Sequence, residues 1–321
     1  MLKKKFLFFL LISLLFLNLQ SQDPYDLYMK AINENNLEKQ ITLFEEYLKK
    51  FGGQRTPYEK YVLANLALIY SRKQEYSKVV EYGEKALSFS RLNDFARIQL
   101  YIALADSYVK LKQNLAKAKR YAEIAVELSE IKTETDSEGK WIKILGGGYY
   151  VKASALKKLN NNSDALEYYI KAYEILNDSQ ILNDLKELGL IFYNSKSFNE
   201  AERAFHLPAT ILKDFDSLNF YAKSLYRNGK INEALLYFKE AFNKNPNSDT
   251  AYNIGIILAK EENKLDETIE YLAKAVVLNK GEKVKDAKRL LEHLFFNIKK
   301  GSKKEFKELL KKIELNLKKE H

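Results

Sequence analysis

One short phrase recurs along this 321-residue chain, and it restricts the fold more than any other feature. It reads Glu81-Tyr82-Gly83-Glu84-Lys85-Ala86-Leu87, then Arg120-Tyr121-Ala122-Glu123-Ile124-Ala125-Val126, then Glu167-Tyr168-Tyr169-Ile170-Lys171-Ala172-Tyr173. It returns as Tyr237-Phe238-Lys239-Glu240-Ala241-Phe242 and as Glu270-Tyr271-Leu272-Ala273-Lys274-Ala275-Val276. The central alanines are separated by 39, 47, 69 and 34 residues. The 69-residue gap is about two periods of roughly 34–35, and periods of roughly 20–50 residues mark stacked supersecondary units.

The unit 60–92 shows what one period contains. Leu63, Leu66, Ala67 and Tyr70 follow a 3–4 spacing and so share one helical stripe. The polar break Arg72-Lys73-Gln74-Glu75 follows, and then Tyr76, Val79, Val80, Gly83, Ala86 and Leu87 make a second stripe. The small residues Ala67, Gly83 and Ala86 let two helices cross closely. A lone pair of such helices cannot bury both stripes, whereas a stack buries them as one core.

These residues resemble the tetratricopeptide repeat, a 34-residue helix–turn–helix. The fullest match is 216–248, with Leu218, Tyr221-Ala222, Leu225, Gly229, Ala234, Phe238, Ala241-Phe242 and Pro246 in order. Units 98–130 and 248–279 fit with one extra residue in the turn, near Asn114 and Asn263. Unit 148–178 keeps Tyr149, Ala153, Leu156, Ala165, Tyr169 and Ala172. Unit 182–213 keeps Leu188-Gly189, Phe192, Phe198, Ala201 and Phe205 but carries Pro208 where the small Ala is expected. Residues 24–51 make a worn unit through Leu27, Leu37, Ile41, Phe44 and Leu48. The resemblance implies an all-α, right-handed superhelical solenoid of about seven hairpins over 23–279, with capping helices over 280–321.

With 4 Pro, 12 Gly and 46% apolar residues the composition suits an all-helical chain. The absence of cysteine excludes a disulfide, a thiolate nucleophile and a lipid-carrying cysteine. At the N-terminus Lys3-Lys4-Lys5 precede Phe6 to Leu17, where Ser13 is the lone polar residue. A basic start and a short apolar run read as a signal peptide over 1–22, cut near Ser21. The flanks Leu19 and Ser21 fit the small-x-small rule poorly, which keeps an uncleaved anchor as the alternative. The expected location is the cell envelope or periplasm.

The net charge of +10 is unevenly placed. Residues 280–321 hold 14 Lys/Arg against 7 Asp/Glu, and 23–279 hold 36 of each. A neutral array gives no reason to expect nucleic-acid binding. In the tail Val284, Ala287, Leu290, Leu291, Leu294, Phe295 and Ile298 share one helical face. Gly301-Ser302 interrupt it, and Phe306, Leu309, Leu310, Ile313 and Leu317 form a second stripe. This is the pattern of a capping hairpin, or alternatively of a basic amphipathic helix on an anionic membrane or polyanion.

In the resembled fold the exposed side of each first helix lines a concave groove. The residue two after each stripe-closing aromatic or Leu should lie there: Arg72, Lys110, Lys158, Asn194, Arg227 and Lys260. Basic residues at these places also complement a helix C-terminus. Read as a groove, the row forms a positive track for an acidic or C-terminal carboxylate peptide, extended by Lys157, Lys186 and Lys223. Asn183 and Asn219 would serve the peptide backbone. Tyr61, Tyr150, Tyr193, Tyr226 and Tyr252 project to the same side and offer contact area with a hydroxyl.

Two irregularities remain. Gly146-Gly147-Gly148 lack the surroundings of a phosphate loop, and glycine weakens a helix by about 1 kcal/mol relative to alanine, so a bend or break is expected there. Residues 131–147, with the sole Trp141, read as an irregular, mobile insertion. Pro208, inside a second helix, should kink or shorten it. Catalytic signatures are absent: no G-x-S-x-G, H-E-x-x-H or nucleotide fingerprint occurs. His206, His293 and His321 have no His or acidic residue three or four positions on. The expectation is a non-enzymatic interaction scaffold with no cofactor, metal or catalytic residue.

Overall fold

The computed structural model describes residues 23–135 and 139–320. The leader read over 1–22 lies outside the described residues. Every regular element among those described is helical. The helices pair as α1 (Pro24–Ile32) with α2 (Leu37–Phe51), α3 (Glu59–Arg72) with α4 (Tyr76–Ser88), and α5 (Asp94–Leu111) with α6 (Leu115–Thr135). Next come α7 (Lys140–Lys158) and then α8 (Asn162–Leu176); α9 (Ser179–Asn194) pairs with α10 (Phe198–Ile211), and α11 (Phe215–Arg227) with α12 (Ile231–Lys244). The last pair is α13 (Ser248–Leu258) and α14 (Leu265–Leu278), followed by α15 (Val284–Glu292), a π-helical turn (His293–Ile298) and α16 (Lys303–Glu320). The chain divides into two compact units at Asn161/Asn162, the first ending with α7 and the second beginning with α8.

Local chemistry explains why the helices start and stop where they do. Several first helices are capped by a short polar side chain. Asn93, Asp178, Asp214 and Asn247 accept the N–H groups of Ala96, Gln180, Ser217 and Thr250, satisfying donors that a helix start leaves open. The turn inside the hairpin closes in one repeated way. The N–H of Glu75, Gln113, Asn161, Ser197 and Lys230 donates to the carbonyl of Tyr70, Tyr108, Leu156, Phe192 and Leu225. The residue before each donor has a positive φ, from 53° at Lys112 to 80° at Gly229. This is the Schellman geometry, which Gly229 adopts without the steric cost borne by Gln74, Lys112, Asn160 and Lys196.

Packing follows the repeat. The recurring Ala86, Ala125, Ala172, Ala241 and Ala275 are all fully buried. On the first helices the matching small position is Ala67, Ala105, Ala153, Gly189, Ala222 or Gly255, also buried. A Cβ at Gly83 would come within 2.9 Å of Leu104, and one at Gly255 within 2.8 Å of Leu272. These contacts are why small residues sit where the helices cross. In the second unit a continuous core runs from Phe205 to Leu317. It takes in Ala287, Leu291 and Phe295 before the chain turns, then Ile313 and Leu317 of α16. The C-terminal helices therefore cover the last hairpin with their apolar faces, as a solenoid end requires.

Two expectations are corrected. The glycine run does not break the helix: α7 passes through Gly146–Gly148 without interruption. A Cβ on Gly148 would lie 3.2 Å from Val126 Cγ2 and 3.6 Å from its backbone nitrogen, so glycine there permits a close approach to α6. Pro208 does not shorten α10, which continues to Ile211 with Pro208 buried inside it. The segment 131–147 is helical over most of its described residues, and its extra length extends α6 and opens α7. Trp141 is buried edge-on against Phe95, ring centroids 5.8 Å apart.

Candidate functional site

Each unit has a cavity walled mainly by the first helices of its hairpins. In the first unit Leu68, Ser71 and Arg72 come from α3, and Gln99, Ile102, Asp106 and Lys110 from α5. Ile144, Gly147 and Tyr150 come from α7, and Gln74 and Tyr76 complete a space of about 590 Å³. In the second unit Tyr193 comes from α9, and Lys223, Tyr226 and Arg227 from α11. Asp249, Tyr252, Asn253 and Ile256 come from α13, and Glu282 and Lys283 from the following loop, around about 410 Å³.

The residues read as a groove thus fall into three sets. Tyr193, Lys223, Tyr226, Arg227 and Tyr252 share the second cavity. Arg72, Lys110 and Tyr150 share the first. Tyr61, Lys157, Lys158, Lys186 and Lys260 line neither. Lys186 is held by the Asp214 carboxylate at 3.0 Å. Lys260 donates to the Tyr226 hydroxyl at 3.2 Å and lies over its ring. Tyr61 is half-buried against the core beneath Lys60. Asn183 is exposed, while Asn219 is buried and accepts from the Thr250 hydroxyl at 3.4 Å. The helical period assigned Asn219 to the right helix, but that face is covered by α13.

Charge in the cavities is mixed. Lys223 makes no hydrogen bond or ion pair with a described residue; its ammonium sits 4.7 Å over the Phe220 ring. Burial pushes its pKa down, opposed by the carboxylates of Asp249, Asp216 and Glu282. Arg227 stands over the Phe198 ring at 5.6 Å. Asp249 is fixed at the cavity edge by the Lys283 backbone N–H at 2.9 Å. In the first cavity the Asp106 carboxyl is pushed upward by burial, opposed by Lys110. Asp106, Asp249, Glu282 and Lys283 were missed in the sequence. Asp106 lies two residues before stripe-closing Tyr108, a position reached by the same count that finds Lys110 two after it.

Among the described residues no group of three or more His, Asp or Glu could hold a metal ion, and no helix is long and apolar enough to cross a membrane. The exposed polar ends of successive first helices, brought side by side by stacking, line these recesses.

The fold is that of a helical-hairpin repeat protein. The tetratricopeptide repeat family matches residues 182–214, the hairpin α9–α10. That match falls on the hairpin carrying Pro208, not on 216–248. Among solved structures, the C-terminal part of a repeat protein from Cytophaga hutchinsonii is similar at 17% identity. The likeness covers 86% of this chain and 96% of that one, with a TM-score of 0.45. A tetratricopeptide repeat protein from Parabacteroides merdae is 17% identical over 85% of this chain and 98% of its own, with a TM-score of 0.41. No curated protein sequence matches.

Proposed function

We propose that the chain is a non-catalytic adaptor that holds a peptide or partner helix against its first helices, with the second cavity taking an anionic group of that partner. The observation that carries this reading is the meeting of Lys223, Arg227 and three tyrosines, from three successive first helices, in one recess. Lys223 is partly withdrawn from water and has no anion bound to it among the described residues. A ligand carboxylate would supply that anion through charge-assisted hydrogen bonds. The tyrosines provide rigid area on which the flanking ligand residues can pack. The leader read at residues 3–17 supports export to the envelope or periplasm.

The test is binding of an acidic peptide to the full chain and to Lys223→Glu with Arg227→Glu. Weakening by about 100-fold or more is expected, since two charge-assisted contacts are each worth about 1.5–3 kcal/mol. Unchanged binding, with helical circular dichroism intact, would remove this cavity from the account. Contact of 280–321 with an anionic surface is the weaker reading. Ile313 and Leu317 of α16 are buried in the core, and Phe306 packs on Phe295 and Phe296. A surface-lying helix needs that apolar face for the lipid.

A further inference from the structure

Asp106 and Lys223 occupy one register position in the repeat. Each lies two residues before the residue that closes its first-helix stripe, Tyr108 for one and Leu225 for the other. The other hairpins that share the pattern carry Leu68, Ser154, Leu190 and Ile256 there. An ionisable side chain therefore stands at this position once in each unit, with opposite sign. In each case it is on the middle of the three first helices around its cavity: α5 between α3 and α7, and α11 between α9 and α13.

Asp106 makes no hydrogen bond or ion pair with a described residue, although Lys110 is one turn away on the same helix. Arg72 and Lys110 are exposed at the ends of α3 and α5, while Asp106 is half-buried between the helices. A carboxylate removed from bulk water with no hydrogen-bonded cation is costly, and Lys110 offsets that cost only through space. A ligand ammonium or guanidinium would replace the lost hydration. Gln74 and Gln99 offer amide groups in the same cavity, and Tyr76 and Tyr150 offer aromatic rings of the kind that receive cations.

We propose that the first unit's groove receives a lysine or arginine side chain of its ligand at Asp106, opposite in charge to the group taken by the second unit's groove. The inference rests on the reading of the grooves as ligand sites. Arg72 and Lys110 at the rim restrict the ligand to a single cation flanked by carbonyl or acidic groups, because a run of cations would be repelled there.

Isoleucine methyl groups make both cavities visible in one NMR experiment on the full chain. Ile102 and Ile144 line the first cavity, and Ile256 and Ile257 the second. The probes are Nα-acetyl-arginine amide and Nα-acetyl-glutamic acid amide, each with one charge. The expected result is that the arginine probe shifts Ile102 and Ile144 and the glutamate probe shifts Ile256 and Ile257. Asp106→Asn should weaken the arginine probe at least about tenfold, and Asp106→Glu should retain it. The inference is overturned if the arginine probe leaves Ile102 and Ile144 unmoved while the glutamate probe shifts Ile256 and Ile257. It is overturned equally if Asp106→Asn, with its other isoleucine signals unchanged, binds the arginine probe as before. Silence of all four isoleucines toward both probes would instead remove the groove reading itself.

Discussion

The ring of Phe205 fills the space that Gly189 leaves open: a Cβ on Gly189 would come within 2.7 Å of Phe205 Cε2. Phe205 is itself held, 1% exposed and stacked on Phe220 with ring centroids 5.5 Å apart. The ring has no free direction in which to retreat. Gly189→Ala should therefore destabilise the second unit by about 1–3 kcal/mol, the usual cost of overpacking. The measurement is the urea midpoint of the full chain, read by helical circular dichroism. An unchanged midpoint would mean that α9 and α10 do not cross this closely.

The neighbouring glycines of α7 should behave differently. A Cβ at Gly147 meets only Ile102 Cδ1 at 3.8 Å, an ordinary contact. Gly147→Ala should raise stability by up to about 1 kcal/mol through helix propensity. At Gly148 the closer Val126 opposes that gain, and Gly148→Ala should stabilise less or destabilise. Thermal unfolding of the two variants would show the order; destabilisation by Gly147→Ala would contradict a continuous helix.

Glu84 ties two hairpins together and gives stability a pH dependence. It accepts from the Tyr108 hydroxyl at 2.7 Å, from the Tyr121 hydroxyl at 3.1 Å and from the Lys117 ammonium at 2.7 Å. Burial alone would raise its pKa, but these donors hold it below the ordinary 4.5. Its contribution is present above pH 4.5 and is lost as pH falls through the lower folded value. Tyr108 is pushed up to about 12, first by burial and then by its bond to Glu84. Its contribution is present below the ordinary 10 and is lost as pH rises toward about 12. Glu84→Gln should cost about 1–3 kcal/mol at neutral pH and flatten both limbs of a urea-midpoint profile against pH. Limbs of unchanged slope would place the titration elsewhere.

Removal of α15 and α16 should expose the last hairpin. Ile269, Leu272 and Ala275 of α14 share one core with Leu291, Phe295, Ile313 and Leu317. Each large side chain uncovered costs about 1.5–3 kcal/mol, so a chain ending at Lys280 should lose at least about 3 kcal/mol and aggregate. Equal stability of the shortened and full chains would show that 280–321 is no cap.

The hairpin architecture was legible because its determinants are local. Stripes at helical spacing, small residues at crossings and short polar breaks recur near one period, and the structure buries Ala67, Gly83 and Ala86 in the helical core. Gly146–Gly148 misled because helix propensity was weighed without the partner helix: close approach to Val126 offsets a cost visible in the sequence alone. The groove was legible in part for a related reason. Helical spacing identifies the side of α11 that carries Lys223 and Arg227, but it cannot show that Asp214 holds Lys186 or that α13 covers Asn219. Those pairings depend on the next hairpin. Lys283 and Glu282 reach the second cavity from a loop, to which no helical count applies.

The central claim is that the first-helix grooves, and not the outer surfaces, engage the partner. The most direct measurement places a photoreactive amino acid at Tyr252, in the second cavity, and separately at Leu236, exposed on α12 outside it. Crosslinking in the native host should give a discrete adduct from position 252 that disappears when Lys223→Glu and Arg227→Glu are added, and none from position 236. An adduct from position 236 with none from position 252 would contradict the account.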